Sequence, residues 1–207
     1  MLPHTAAAED TLSLPKGTSR IVCVRNPLDW YTSLYNFKMV GGHNPEGKNY
    51  ALMENNSLQN FLDDVAILDD GGLALSRWNK PWEHRFHMHR MQDALARMPN
   101  EGAIGFWTLN ILYYGCSRWR SVLQDQNVTR LIEREGSGLL DVEIVLRMER
   151  LAEDASNSIP TLVQDVDFRQ RVNATSADPD VAREIAAAAP IIAQRDGTMA
   201  QALGYEE

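Results

Sequence analysis

The chain has 207 residues, of which 44% are hydrophobic and 23% are charged, and its formal net charge is −8. These values are typical of one globular domain with a continuous core, and we expect residues 1–207 to form a single domain. The negative charge excludes a general attraction to nucleic acid or to anionic membranes, and no apolar run has the length of a transmembrane helix, so we expect neither partner.

Cysteine usage and the N-terminal sequence both bear on the cellular compartment. Two cysteines, Cys23 and Cys116, are too few for a disulfide framework, and we interpret both as buried thiols. The N-terminal residues lack the basic and apolar regions of a signal peptide. We therefore expect a cytoplasmic protein.

A strand, a tight turn and a helix are predicted for residues 20–37. Residues 21–24 form an apolar, largely β-branched run that is typical of a buried strand in a parallel sheet. Pro27 ends the strand because it cannot donate to a sheet ladder. Apolar residues recur at helical spacing from Leu28 onward. Arg25 therefore lies at the carboxyl end of a strand, where open α/β sheets bind their ligands.

Arg25 and Ser33 are the candidate site residues, and anion binding is the chemistry that they indicate. An arginine beside a helix N-terminus can make a two-pronged contact with a phosphate. Ser33 lies eight positions later and offers a hydroxyl group. The alternative is an ordinary strand-turn-helix unit in which Arg25 makes a surface ion pair.

The spacing R-x-P-x-D-x-x-x-S, which runs from Arg25 to Ser33, resembles the 3′-phosphate-binding segment of sulfotransferases. Those enzymes use 3′-phosphoadenosine 5′-phosphosulfate as the sulfuryl donor. The resemblance implies that Arg25 and Ser33 hold the 3′-phosphate of this donor or of adenosine 3′,5′-bisphosphate, and that no metal takes part.

Residues 15–19, PKGTS, are similar to the loop with which sulfotransferases grip the 5′-phosphosulfate. Such a loop must follow a strand and open a helix, whereas this segment leads into a strand. We interpret it as an ordinary loop, so we expect the family's first strand, phosphosulfate loop and first helix to be missing. His4 half matches a histidine near the transferred group in relatives, but a solvated side chain is the alternative.

The middle of the chain, residues 57–123, contains two predicted helices, three histidines and a cluster of tryptophans and arginines. Residues 57–68 and 104–123 have the apolar spacing of helices, the second of them in the core. Apart from Glu83 and Asp93, no acidic or cysteine residue is placed to complete a metal site with His84, His87 and His89, and we interpret these histidines as solvated or core-edge side chains. Tryptophans and arginines of residues 77–90 either line an acceptor pocket or belong to a solvated helix-loop region.

A second motif lies in residues 141–154. Alternating apolar residues predict a strand over residues 142–146. The following Glu149, Leu151 and Asp154 resemble the glutamate, leucine and acidic residue that end a strand in sulfotransferases. The remaining sequence predicts helices, and the closing Gly204-Tyr205 pair is similar to that of relatives.

The two motifs together imply an α/β fold, namely the P-loop nucleotide-hydrolase-like sulfotransferase fold, N-terminally truncated, mostly helical with a small parallel sheet. The implied reaction transfers a sulfuryl group from 3′-phosphoadenosine 5′-phosphosulfate to a hydroxyl or amine of a small-molecule or glycan acceptor. The alternative is a non-catalytic nucleotide- or partner-binding module of the same fold. Without the phosphosulfate loop we expect little or no transfer.

The missing first strand also leaves the partners of the two predicted strands open. They pair directly, accept another segment such as residues 12–14, or leave edges for a second chain. Apolar sheet surface without its covering helix is seldom left bare. The sequence therefore predicts a homodimer.

Overall fold

The computed structural model describes residues 8–9, 18–39, 58–62, 90–91, 93–94, 97–99, 104–168 and 179–205. Their secondary structure is mostly helical and includes two short parallel strands, β1 (Ile21–Val24) and β2 (Ile144–Arg147). The predicted α/β class with a small parallel sheet is therefore confirmed. Among the residues described, no helix combines the length and the hydropathy needed to cross a membrane.

Helices make up most of the described part of the chain. Short 3₁₀ turns occupy Gly136–Leu139, Met148–Arg150 and Pro160–Leu162. The α-helices in chain order are α1 (Pro27–Met39), α2 (Leu58–Phe61), α3 (Phe106–Gly115), α4 (Trp119–Leu123), α5 (Val128–Glu135), α6 (Leu151–Ser158), α7 (Pro179–Ala187) and α8 (Ala189–Ala202).

The core helix predicted for residues 104–123 is in fact two helices, α3 and α4. The backbone at Cys116 is extended, with φ −121° and ψ 114°, and this ends α3. Asp141 fixes the turn that follows, because its carboxylate accepts a hydrogen bond from the Ser117 N–H while its own N–H donates to the Gly115 carbonyl. Asp141, which is far from this turn in sequence, therefore stabilises the break between α3 and α4, and the spacing of apolar residues gave no sign of it.

The two strands pair directly and in parallel, with Ile21 opposite Ile144 and Val24 opposite Arg147. Both segments are thus strands of one sheet, as predicted, and no third strand occurs in the described residues. β2 begins at Ile144 rather than at residue 142. The N–H groups of Glu143 and Ile144 both donate to the carbonyl of Arg20, so the regular ladder starts only beyond this contact.

One face of the sheet packs against the hydrophobic core. Val24 is almost fully buried and Val22 and Val145 pack beside it. The core is built on large side chains, each of which stabilises the fold by roughly 1.5–3 kcal/mol when buried. Through this core α1, which follows the turn that carries Arg25, packs against α3 and α8. Fully buried side chains include Trp107, Trp119, Tyr31, Tyr113 and Phe61.

The opposite face of the sheet is covered only in part. Leu146 is buried where α6 packs on β2, whereas Ile21 is 40% exposed and Cys23 is exposed on β1. The prediction that Cys23 is buried is therefore wrong, because its burial depends on a covering element rather than on the strand pattern. Cys116 is buried, as predicted, and both thiols are free. The cytoplasmic location inferred from them stays a prediction.

Candidate functional site

The carboxyl ends of β1 and β2 form the candidate site. The strands are parallel, so both end at the same edge, with Val24 beside Arg147. Arg25 follows β1 directly, and the 3₁₀ turn Met148–Arg150 follows β2. The two motifs that the sequence singled out therefore meet at one edge of the sheet.

Arg25 has a partly buried side chain at this edge. Its guanidinium makes no hydrogen bond or ion pair within the part of the chain that the structure describes. The ordinary surface ion pair, which was the alternative for Arg25, is not found there. None of its five guanidinium N–H donors is engaged by a described residue.

Ser33 lies in α1 and is also partly buried. It follows Asp29 by four residues, so the two share a helix face. No hydrogen bond joins the side chains of Arg25 and Ser33, which are both described. Their convergence on one anion stays a prediction.

The N-terminus of α1 is largely closed to ligands. Asn26 caps the helix: its side-chain oxygen accepts from the Asp29 N–H at 2.9 Å, and its carbonyl accepts from the Trp30 N–H at 2.9 Å. Pro27 carries no N–H, which leaves only the first-turn N–H of Leu28 without a partner among the described residues. The preceding arginine must therefore supply most of any contact with an anion.

The peptide bond between Arg25 and Asn26 is held at both of its polar groups. The indole Nε1 of Trp107 donates to the Arg25 carbonyl at 2.9 Å, and the Asn26 N–H donates to Oε1 of Glu149 at 2.9 Å. Tyr205 contacts both of these residues: its hydroxyl donates to Oε2 of Glu149 at 2.9 Å, and its ring centroid lies 6.4 Å from that of Trp107. We call Trp107, Glu149 and Tyr205 the peptide clamp.

The hydroxyl of Tyr205 acts as a hydrogen-bond donor to Glu149. Burial, and then the hydrogen bond to Glu149, raise the pKa of Tyr205 above its usual value. Glu149 thus accepts from both Asn26 and Tyr205, and its side chain also accepts from Nδ2 of Asn26 at 3.0 Å. Its oxygens are occupied by these contacts, which suits a residue that holds the turn.

Arg147, at the end of β2, is fully engaged with Asp154. Its N–H, Nε and Nη2 donate to the Asp154 carboxylate at 2.9, 2.9 and 2.8 Å. These bonds lower the pKa of Asp154 to about 2 and raise the pKa of Arg147. Nη1 donates to the carbonyl of Gly204 at 3.3 Å. Arg147 therefore anchors the segment after α8 and is not available to an anion.

Gly204 is the one position in this segment that requires glycine. Its φ is +79°, a left-handed conformation, and an added Cβ would lie 3.1 Å from Nη1 of Arg147. This turn brings Tyr205 back against the sheet edge. The closing Gly-Tyr pair that the sequence showed therefore has a structural role at the candidate site.

A buried hydrogen-bond network lies behind the clamp. Oδ1 of Asp196 in α8 accepts from the N–H and hydroxyl of Thr108 at 2.9 and 2.7 Å, and Oδ2 accepts from the Tyr31 hydroxyl at 2.8 Å. The Trp107 N–H donates to the Tyr31 oxygen at 3.0 Å. Burial raises the pKa of Asp196 to about 6, although its hydrogen bonds act in the opposite direction. The network joins α1, α3 and α8.

Several other candidates from the sequence lie outside the described residues. These are His4, the three histidines of residues 84–89, residues 15–17 of the loop similar to a phosphosulfate loop, and most of the tryptophan and arginine cluster. Arg90, its one described member, ion-pairs with Glu9 at 3.4 Å. Within the described ranges, no three potential metal ligands come together.

Comparisons with protein-family models, with curated proteins and with solved structures gave no match. The sulfotransferase resemblance therefore rests on the residues of the two motifs alone.

Proposed function

We propose that the chain binds a nucleotide carrying a 3′-phosphate, either 3′-phosphoadenosine 5′-phosphosulfate or adenosine 3′,5′-bisphosphate, at the carboxyl edge of β1. Arg25 and Ser33 hold the phosphate. The observation that carries the proposal is that Arg25 is a partly buried residue whose guanidinium has no described partner, at the edge where α/β sheets bind ligands.

The pairing of the neighbouring arginines supports this assignment. Arg147 and Arg150 also lie at this edge, but they pair with Asp154 and Glu153. Of the arginines described at this edge, Arg25 is thus the one that has no described ion-pair partner. A partly buried cation without a partner is costly, and a phosphate that accepts a two-pronged contact offsets that cost.

The wider proposal is that the chain has the sulfotransferase variant of the P-loop nucleotide-hydrolase-like fold and transfers a sulfuryl group to a hydroxyl or amine. The order of the two motifs and their meeting at one sheet edge support it. Such a transfer also needs the 5′ side of the donor to be gripped, and the loop that resembles this element leads into β1. The alternative is a non-catalytic module that binds the same nucleotide, and a donor-turnover assay with a panel of acceptors separates the two.

Replacing Arg25 with alanine is expected to weaken binding of adenosine 3′,5′-bisphosphate about thirtyfold. The reason is that losing a charge-assisted two-pronged contact costs on the order of 2 kcal/mol. Ser33→Ala is expected to weaken binding about fivefold, because one neutral hydrogen bond is lost. Isothermal titration calorimetry measures both dissociation constants.

The matched control is Arg130→Ala, which removes an exposed arginine of α5 and changes the net charge by the same amount. Its affinity should stay close to that of the unchanged protein. No binding by the unchanged protein, or equal binding by it and Arg25→Ala, would remove the site assignment.

We also propose that the chain forms a homodimer. Ile21 and Cys23 leave apolar surface exposed on β1, and within the described residues β1 pairs only with β2. An open strand edge beside apolar surface favours association. Light scattering after size exclusion should give twice the mass of one chain at micromolar concentrations. A monomer over that whole concentration range contradicts the proposal.

A further inference from the structure

We propose that the peptide clamp of Trp107, Glu149 and Tyr205 positions Arg25 for phosphate binding, so that these three are positioning residues of the anion site. This inference rests on the proposed function and extends it to residues that need not touch the ligand.

The clamp acts on the two polar groups of a single peptide unit. A peptide unit is planar, so fixing its C=O and its N–H at the same time fixes the orientation of the whole plane. Trp107 and Glu149 do this from opposite sides of the Arg25–Asn26 peptide. The direction in which the chain leaves β1, and hence the base of the Arg25 side chain, is set by these two contacts. A two-pronged contact with a phosphate requires such alignment.

Tyr205 couples the two halves of the clamp. Its hydroxyl bonds to Glu149 and its ring lies edge-on to Trp107, at an interplanar angle of 73°. The segment that carries it is tied down at Gly204 by Arg147. Three remote parts of the chain, namely α3, the end of β2 and the residues after α8, therefore meet around one peptide bond. Tyr205 thereby links Glu149 to Trp107.

Charge and positioning predict opposite effects for one substitution. Glu149 is a carboxylate at an anion site, so removing its charge would by itself strengthen phosphate binding. A neutral amide also holds the Asn26 N–H less firmly than a carboxylate does. If Glu149 acts through position, Glu149→Gln must instead weaken binding. Whether Glu149→Gln strengthens or weakens phosphate binding therefore decides between a purely electrostatic effect and a positioning role.

The test is calorimetric titration with adenosine 3′,5′-bisphosphate at a temperature where urea unfolding shows every variant to be fully folded. We expect Glu149→Gln to bind about tenfold more weakly and Tyr205→Phe about threefold more weakly. Glu153→Gln, which removes a carboxylate that pairs with Arg150, is the charge control and should bind equally well or more tightly. An effect confined to global stability leaves the affinity unchanged when the whole population is folded, so a weaker affinity reports a local change at the site.

Hydrogen exchange of the Asn26 amide and of the Trp107 indole N–H, followed by NMR without ligand, tests the clamp separately. We expect both to exchange faster in Glu149→Gln and Tyr205→Phe. If the unchanged protein binds no nucleotide, the proposed function fails, and the exchange rates alone decide whether the clamp exists. If the unchanged protein binds and both variants bind as tightly, or Glu149→Gln binds more tightly, the positioning role is overturned while the proposed function stands.

Discussion

Replacing Asp196 with alanine is expected to lower the free energy of unfolding by about 4 kcal/mol at pH 5, because three buried donors lose their acceptor at once. These donors are the Tyr31 hydroxyl and the N–H and hydroxyl of Thr108. The pKa of Asp196 is about 6, so its carboxyl group is mostly neutral at pH 5. Removing it therefore relieves little of the cost of burying a charge. Urea unfolding monitored by circular dichroism gives the value.

Two further variants control this measurement. Asp196→Asn keeps an acceptor for Thr108 and should lower the free energy of unfolding by about 1 kcal/mol at the same pH. Gln194→Ala changes an exposed residue on the same helix and should stay within about 0.5 kcal/mol. A loss below about 1 kcal/mol for Asp196→Ala would show that the network does not hold α1, α3 and α8 together.

The same carboxyl group gives stability a defined dependence on pH. Its pKa is raised from 3.8 in the unfolded chain to about 6 in the fold, so its contribution is fully present below pH 3.8 and is lost as pH rises through 6. Relative to Asp196→Asn, the unchanged protein should lose up to about 3 kcal/mol between pH 4 and pH 7. A difference that is constant over this range would contradict the raised pKa.

The second large effect is expected for Gly105→Ala, which should lower the free energy of unfolding by about 3 kcal/mol. The backbone of Gly105, with φ −87° and ψ 173°, suits any residue. An added Cβ, however, would lie 2.6 Å from both Cγ and Oδ1 of Asp196. Overpacking of this kind typically costs about 1–3 kcal/mol, and here it also displaces a carboxyl group that accepts three hydrogen bonds.

Gly197→Ala is the matched control because it makes the same chemical change one residue after Asp196. An added Cβ at Gly197 meets nothing within 4 Å, and the residue lies inside α8. Alanine should raise the free energy of unfolding by about 0.5–1 kcal/mol there, because glycine is a poor helix former. Thermal unfolding of both variants should thus give shifts of opposite sign. Equal shifts would mean that Gly105 is not packed against the carboxyl group.

Local sequence patterns were sufficient to predict the two strands and the helices α1, α6, α7 and α8. The strands predicted over residues 21–24 and 142–146 are short segments whose backbone groups require partners, and both lie in one sheet, as predicted. Their direct pairing is one of the three arrangements that the sequence left open. The turn at Asn26-Pro27 and the helix after it also follow from residue types alone. The exposure of Cys23 could not be predicted in this way, because it depends on which element covers that face of the sheet.

The candidate site was only partly predictable. Arg25 and Ser33 were found because strand ends and spacing mark them. The clamp and the buried network were missed, because each contact joins residues that are far apart in sequence. Tyr31 and Asp196 are 165 positions apart, and Trp107 is 82 positions from Arg25. Glu149 of the second motif and the closing Gly204-Tyr205 pair were the signals of the clamp in the sequence, and their contacts with each other and with Asn26 followed only from the fold.

Two nucleotides that differ in the 3′-phosphate test most directly whether Arg25 and Ser33 form the phosphate site. Calorimetry of the unchanged protein with adenosine 3′,5′-bisphosphate and with adenosine 5′-monophosphate measures the contribution of that group alone. If Arg25 and Ser33 hold the 3′-phosphate, the bisphosphate should bind at least about thirtyfold more tightly, equivalent to about 2 kcal/mol. Equal affinity for the two nucleotides, or no binding of the bisphosphate, would contradict a 3′-phosphate site at Arg25 and Ser33.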